Sequence, residues 1–132
     1  VMLQYQVHGA YPDAHGNRIP SGPVQKLSEN QNFLAAKELT PQNVLDTCFY
    51  GFHGGHIAWP ESDIGLRMVA SESCAHLIIY NPDGKPYFAV EPVTNANNGV
   101  NLLTRGDETS GIVVLENGEV LEADCTLYLE QI

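Results

Sequence analysis

One carboxylate in this sequence stands where a strand-like pattern is interrupted. Glu91 follows the apolar residues 87–90 and precedes Pro92. Because a proline cannot continue a central β-ladder, the pattern predicts that the strand stops there and that Glu91 opens onto the rim of a sheet, where sites are commonly built. A carboxylate in such a place can act as a general base. The plainer alternative is a solvated glutamate at the end of a strand.

A second carboxylate, Asp46, precedes a segment rich in aromatic side chains. This segment contains Phe49, Tyr50, Phe52 and Trp59. Aromatic rings stack on the apolar faces of sugars, and a carboxylate accepts hydrogen bonds from their hydroxyl groups, so the combination suits a carbohydrate. The alternative is an aspartate that caps a turn beside an aromatic core.

Two histidines and a run of asparagines complete the candidates. His53 and His56 are separated by two glycines, but zinc sites take three or four ligands and no further ligand completes the set. We therefore predict no metal site, and surface or sugar-contacting histidines instead. The amides of residues 95–101, among them Asn101, can contact hydroxyl groups, although Asn-Gly also favours turns. The sequence contains neither a glycine-rich phosphate loop nor a serine nucleophile elbow.

Composition and charge exclude several classes of partner. The chain has 132 residues, with 16 acidic against 6 basic side chains and a formal charge of −10. Nucleic acids and anionic membranes require clustered Lys and Arg, so we predict neither as a partner. No apolar run approaches the roughly 20 residues that cross a bilayer, and we expect a single domain over residues 1–132. Three widely spaced cysteines indicate free thiols and a reducing, cytoplasmic compartment.

The hydrophobic pattern predicts an all-β chain of about seven short strands, arranged as an antiparallel β-sandwich. Strands are predicted near residues 3–8, 66–70, 76–80, 87–90 and 125–129. Asn117-Gly118 predicts a hairpin between residues 111–115 and a strand after Glu119. Short helices are predicted over residues 30–37 and after Thr40-Pro41. Residues 11–22 are predicted to form a loop.

Several short segments, taken together and in this order, resemble the C-terminal half of the aldose 1-epimerase (galactose mutarotase) family. They are Asn-Arg-Ile-Pro-Ser-Gly at 17–22, Leu-Asp-Thr-Cys-Phe at 45–49, Ile-Ala-Trp-Pro at 57–60, the run at 76–80, Phe-Ala-Val-Glu-Pro-Val-Thr at 88–94 with Asn101, and residues 111–119. In the last segment Asn117 replaces a proline that is usual in the family. The resemblance implies that residues 1–132 form part of a galactose-mutarotase-like supersandwich.

The same resemblance implies interconversion of the α and β anomers of a free aldohexose. Glu91 matches the catalytic base, which takes the proton from the C1 hydroxyl. Asp46 matches the aspartate that binds substrate hydroxyls, and Asn101 lies in the matching asparagine-rich segment. His53, in the aromatic segment after Asp46, is predicted as a further substrate-binding residue. General acid–base ring opening of this kind requires neither a metal nor a cofactor.

This sequence departs from the family pattern at the general acid. The family's catalytic histidines belong to its N-terminal half, and none of the five histidines here stands in a comparable motif: His8, His15, His53, His56 and His76. We therefore expect an N-terminal half of the domain, or self-association, to complete the site. Unpaired sheet edges in a half-sandwich favour such a partner. The alternative is a non-catalytic carbohydrate-binding or oligomerisation module with the same fold.

Overall fold

The computed structural model describes all residues, Val1–Ile132. Its strands form two antiparallel sheets. The five-stranded sheet has the order β3-β1-β5-β6-β9, formed by β1 (Met2–Tyr5), β3 (Lys37–Glu38), β5 (Gly55–Trp59), β6 (Ile64–Ala70) and β9 (Cys125–Gln131). The four-stranded sheet has the order β2-β4-β7-β8, formed by β2 (Gly9–Ala10), β4 (Leu45–Tyr50), β7 (His76–Asn81) and β8 (Ala89–Val93). The predicted all-β antiparallel sandwich is confirmed.

Apolar side chains from both sheets fill the space between them. The buried set includes Leu3, Tyr5, Ile57 and Met68 from one sheet and Leu45, Phe49, Leu77 and Ile79 from the other. The rings of Tyr5 and Phe49 lie 5.1 Å apart and join the two layers. Because side chains alternate along a strand, burial of Leu45 and Phe49 turns Asp46 to the outer face of the four-stranded sheet.

A short helix, α1 (Gly99–Thr104), covers part of that outer face. A helix of six residues is not stable alone in water, and packing of Leu102 against Tyr11, Cys48 and Ala96 stabilises it. The sequence pattern did not predict this helix, since its asparagines favoured a turn. No helix of the structure has the length and apolar character needed to cross a membrane.

The two helices predicted before residue 45 do not form. The first is reduced to a single 3-10 turn, Glu29–Gln31. At the second, Asn43 donates its backbone N–H to the Thr40 carbonyl at 3.0 Å and closes a turn. The Asn43 side-chain oxygen accepts from the Thr40 backbone N–H and hydroxyl, and such side-chain bonds compete with a helix.

The predicted hairpin around Asn117-Gly118 is wrong in its strands but correct in its turn. Glu119 donates its backbone N–H to the Glu116 carbonyl at 3.0 Å, yet the residues on either side of the turn belong to no strand. Neither side of the turn pairs with the other or with β9, the edge strand of the five-stranded sheet. An isolated two-stranded hairpin is marginal in water.

The strand that carries Glu91 does not stop at Pro92, contrary to the sequence prediction. β8 continues to Val93, with Pro92 opposite Leu77. β8 is the edge strand of its sheet, so the missing N–H of proline costs no ladder hydrogen bond on the open side. Glu91 therefore lies within an edge strand, opposite Ile78.

β9 leaves apolar side chains in solvent. Leu127 and Leu129 lie opposite Met68 and Leu66, on the core side of the sheet, but are 54% and 75% exposed. The accessible surface of the whole chain is 8037 Å², against about 6,800 Å² expected for a globular protein of this mass. An exposed apolar edge strand is typical of a surface that another segment or chain covers.

Candidate active site

The register of three strands brings the two predicted carboxylates to one face. Asp46 on β4 lies opposite Tyr80 on β7, and Glu91 on β8 lies opposite Ile78 on β7. Side chains directly opposite each other project to the same side of a sheet, as do residues two apart along a strand. Asp46 and Glu91 therefore share the outer face of the four-stranded sheet. The strands that carry them are about 10 Å apart, with β7 between.

The floor between these carboxylates is aromatic and apolar. Tyr80 and Ile78 are both half-buried there, and Ile78 also packs against the buried cluster that contains Leu102 of α1. The exposed ring of Tyr87 lies 6.4 Å from that of Tyr80. An apolar surface flanked by acceptor groups suits a sugar, because the C–H faces of the ring pack on apolar side chains and its hydroxyl groups need hydrogen-bond partners. The sequence did not single out Tyr80 for this role, because its place depends on the pairing of β4 with β7.

Arg18 approaches Asp46 from the loop of residues 11–22. Its Nε lies 3.5 Å from Asp46 Oδ2. The two side chains line a hollow of about 100 Å³ together with Tyr11, Pro12 and Gln31. In the sequence, Arg18 belongs to the segment at 17–22 that resembles the family, and no role was predicted for it. A contact between residues 28 positions apart leaves no local signal.

Asn101 lies on the helix that covers this face. Its side-chain amide donates to Asn98 Oδ1 at 2.6 Å, and the Asn98 amide in turn donates to the Pro20 carbonyl at 2.9 Å. These bonds connect α1 to the loop that carries Arg18. Burial raises the pKa of the Cys48 thiol beneath the helix to about 11, so this cysteine is a neutral packing group at pH 7.

His53 occupies a different part of the molecule. It follows the opposite end of β4 from Asp46, and it lines a hollow of about 260 Å³ beside β1, β5 and β6. Its ring lies 5.2 Å from that of His8. The structure therefore does not bring His53 to the face shared by Asp46 and Glu91, and its predicted sugar contact stays a prediction. No three His, Cys, Asp or Glu side chains form a group that could hold a metal ion.

His76 lies on the same face as Glu91 but is completely buried. Its Nε2 lies 2.8 Å from the Thr109 carbonyl and 3.2 Å from the Tyr11 hydroxyl. Its Nδ1 has no partner. Burial raises the pKa of Tyr11 to about 12, so this hydroxyl stays protonated. His76 is thus a packing residue beneath the site, with no access to a ligand.

The buried position of His76 predicts a loss of stability at mildly acidic pH. Burial lowers the pKa of His76 in the folded chain below its ordinary value of 6.5. Below pH 6.5 the unfolded chain therefore binds the proton first, and the free energy of unfolding falls as pH decreases, by at most about 1.4 kcal/mol per pH unit. Above that pH the histidine is neutral in both states and contributes no pH dependence.

Urea unfolding between pH 7.5 and 5.5 measures this slope. We expect His76→Asn to remove most of it and His15→Asn, at an exposed loop position, to leave it unchanged. Equal slopes in the original chain and in His76→Asn would show that His76 is not the group responsible.

Comparison with known proteins identifies related sequences and folds. The sequence model of the aldose 1-epimerase family matches residues 3–128. A crystal structure from Escherichia coli K12, described as a "Putative aldose 1-epimerase", superposes with a TM-score of 0.80 at 18% sequence identity. The match covers 99% of this chain and 46% of the other, so this chain spans about half the length of that protein. No curated protein matches the sequence.

Proposed function

Because the chain belongs to the aldose 1-epimerase family, we propose that it interconverts the α and β anomers of a free aldohexose by general acid–base ring opening. The observation that carries this proposal is the common face of Asp46 and Glu91, separated by Tyr80 and Ile78. A pyranose ring on this floor meets a carboxylate on each side. Membership of the family supports the roles proposed for these two carboxylates, which their geometry alone would not assign.

In this mechanism Glu91 is the general base. Its carboxylate takes the proton from the C1 hydroxyl, the C1–ring-oxygen bond breaks, and the aldehyde forms at C1. A general acid protonates the ring oxygen as it leaves. Rotation about the C1–C2 bond and reclosure, with the two protons returned, gives the other anomer. Asp46 accepts hydrogen bonds from hydroxyl groups and holds the sugar in place, as a fixed geometry requires.

The general acid is the missing component on this face. His76 is buried and His53 lines another hollow, so we propose neither of them. We propose that residues 1–132 correspond to the C-terminal half of an epimerase domain and that the acid comes from an N-terminal half or from a second copy of the chain. The exposed apolar side chains of β9 and the large accessible surface support a partner of this kind.

The substrate we propose is an unmodified aldose, and the mechanism uses no cofactor. Nucleic acid and membrane partners are not part of the proposal, in line with the scattered basic residues of the sequence. A cytoplasmic location stays a prediction from cysteine usage, and Asn101 stays a predicted substrate contact on α1.

Polarimetry tests the proposed activity. The optical rotation of freshly dissolved α-galactose, and then of α-glucose, is followed with and without the chain. Faster approach to the equilibrium rotation supports an epimerase whose acid comes from a second copy of the chain. If sugar binds without acceleration, the measurement is repeated with an N-terminal half added back: acceleration then supports the proposal, and its continued absence favours the non-catalytic binding module. Absence of both would contradict the proposal.

A further inference from the structure

The loop of residues 11–22 holds Arg18 in an unusual backbone conformation. Arg18 has a φ of 65°, in the left-handed region that bulky residues rarely adopt. Asp13 maintains this conformation, because its carboxylate accepts the backbone N–H groups of Asn17 at 3.1 Å and of Arg18 at 2.7 Å. Backbone strain held in place by its surroundings is concentrated at binding and catalytic sites.

The contact between Arg18 and Asp46 contributes too little to the stability of the fold to account for this strained backbone. The Nε–Oδ2 distance is 3.5 Å, and the two side chains are 65% and 29% exposed. Ion pairs this accessible to water contribute little to folding. The same geometry leaves the terminal N–H groups of the guanidinium open to solvent beside a carboxylate that faces the proposed sugar floor.

We propose that Arg18 is a sugar-binding residue that acts together with Asp46 on two neighbouring hydroxyl groups of the aldose. The Asp46 carboxylate accepts from one hydroxyl and the Arg18 guanidinium donates to the oxygen of the next. This inference rests on the proposed function and identifies the feature of the substrate that the site recognises, a vicinal diol. Since Asp46 neutralises Arg18, the pair suits uncharged hydroxyl groups.

The hydrogen-bonding capacities of the two side chains support this pairing. A carboxylate can only accept hydrogen bonds and a guanidinium can only donate them, whereas a hydroxyl does both. Asp46 can accept from the hydroxyl groups of a bound diol but can donate nothing to their lone pairs, whereas Arg18 can. Asn98 and Asn101 each use one amide N–H within the protein, in bonds to Pro20 and to Asn98. Arg18 is the cation that the structure places in contact with Asp46.

The test compares sugar affinity in matched variants. Dissociation constants for D-galactose and D-glucose are measured by NMR titration of the full chain, Arg18→Asn and Lys26→Asn. Asparagine tolerates the left-handed conformation and removes the guanidinium. Lys26→Asn removes one positive charge at an exposed position outside the ion pairs of the structure. We expect Arg18→Asn to weaken binding about tenfold, since a hydrogen bond from a charged donor is lost, and Lys26→Asn to change it less than about twofold.

A second measurement separates the guanidinium from the loop. The amide chemical shifts of Asn17 and Ile19 report whether the turn persists in Arg18→Asn. Weaker binding with these shifts retained supports the proposal. Equal affinity in Arg18→Asn and Lys26→Asn would overturn it, as would a loss of affinity that accompanies collapse of the loop. If the original chain bound neither sugar, the proposed function would fail together with this inference; if it bound and Arg18→Asn did not differ, only this inference would fail.

Discussion

Glu91→Gln is expected to slow the interconversion of aldose anomers about a hundred- to ten-thousandfold, the usual contribution of a positioned general base. Glutamine keeps the shape of the side chain on β8 but cannot take the proton from the C1 hydroxyl. Sugar affinity is expected to stay within about twofold, since the amide still forms hydrogen bonds. A loss in kcat at nearly unchanged affinity identifies a group that acts in the transition state.

The matched control for this substitution is Glu72→Gln. Glu72 is an exposed glutamate in the turn between β6 and β7, so its replacement removes the same charge outside the strands that form the shared face. Polarimetry of fresh α-galactose compares both variants with the original chain, each alone and with an N-terminal half added back to supply the acid. Unchanged turnover in Glu91→Gln would exclude Glu91 as the base, whichever residue supplies the acid.

Phe49→Ala is expected to destabilise the fold by about 3–5 kcal/mol, as for other large buried aromatic side chains. Phe49 is completely buried, and its ring packs on that of Tyr5 across the two sheets. It lies on β4, the strand that also carries Asp46. This loss is a large fraction of the free energy of unfolding of a domain, roughly 5–15 kcal/mol. Unfolding of the core would therefore also displace β4 and with it Asp46.

Denaturant unfolding followed by circular dichroism measures this effect. Val120→Ala is the control, because Val120 is 77% exposed and surface substitutions change stability by about 0.5 kcal/mol or less. If Phe49→Ala does not fold at all, Phe49→Leu gives a smaller loss that can be measured. A Phe49→Ala variant as stable as the Val120→Ala variant would show that this core does not determine the stability of the chain.

The fold class could be predicted from the sequence because strand patterns are local. Alternation and short apolar runs predicted β1, β6, β7 and β9 near their observed positions. The predictions of strand ends and of the hairpin were wrong where contacts between distant segments determine the structure. β8 passes through Pro92 because it is an edge strand. The turn at Asn117-Gly118 forms without a hairpin, since the residues on either side of it pair with no strand.

The candidate site could be predicted only in part, for the same physical reason. Glu91 and Asp46 stood out by residue type and by resemblance to a family, and strand register places them on one face. Register also decides that Tyr80 lies between them, which no local pattern reveals. Arg18 reaches Asp46 through the closure of a loop, and helix α1 depends on the burial of Leu102. Contacts between distant segments therefore account for what the sequence did not predict.

The most direct test of the shared face is an NMR map of sugar binding. The backbone amides of the chain are assigned and followed while D-galactose, and then D-glucose, is added. We expect the largest shift changes at Asp46, Tyr80 and Glu91, and a further change at His53 would support its predicted sugar contact. Changes confined to the hollow beside His53, or no change at either place, would contradict a sugar site on the outer face of the four-stranded sheet.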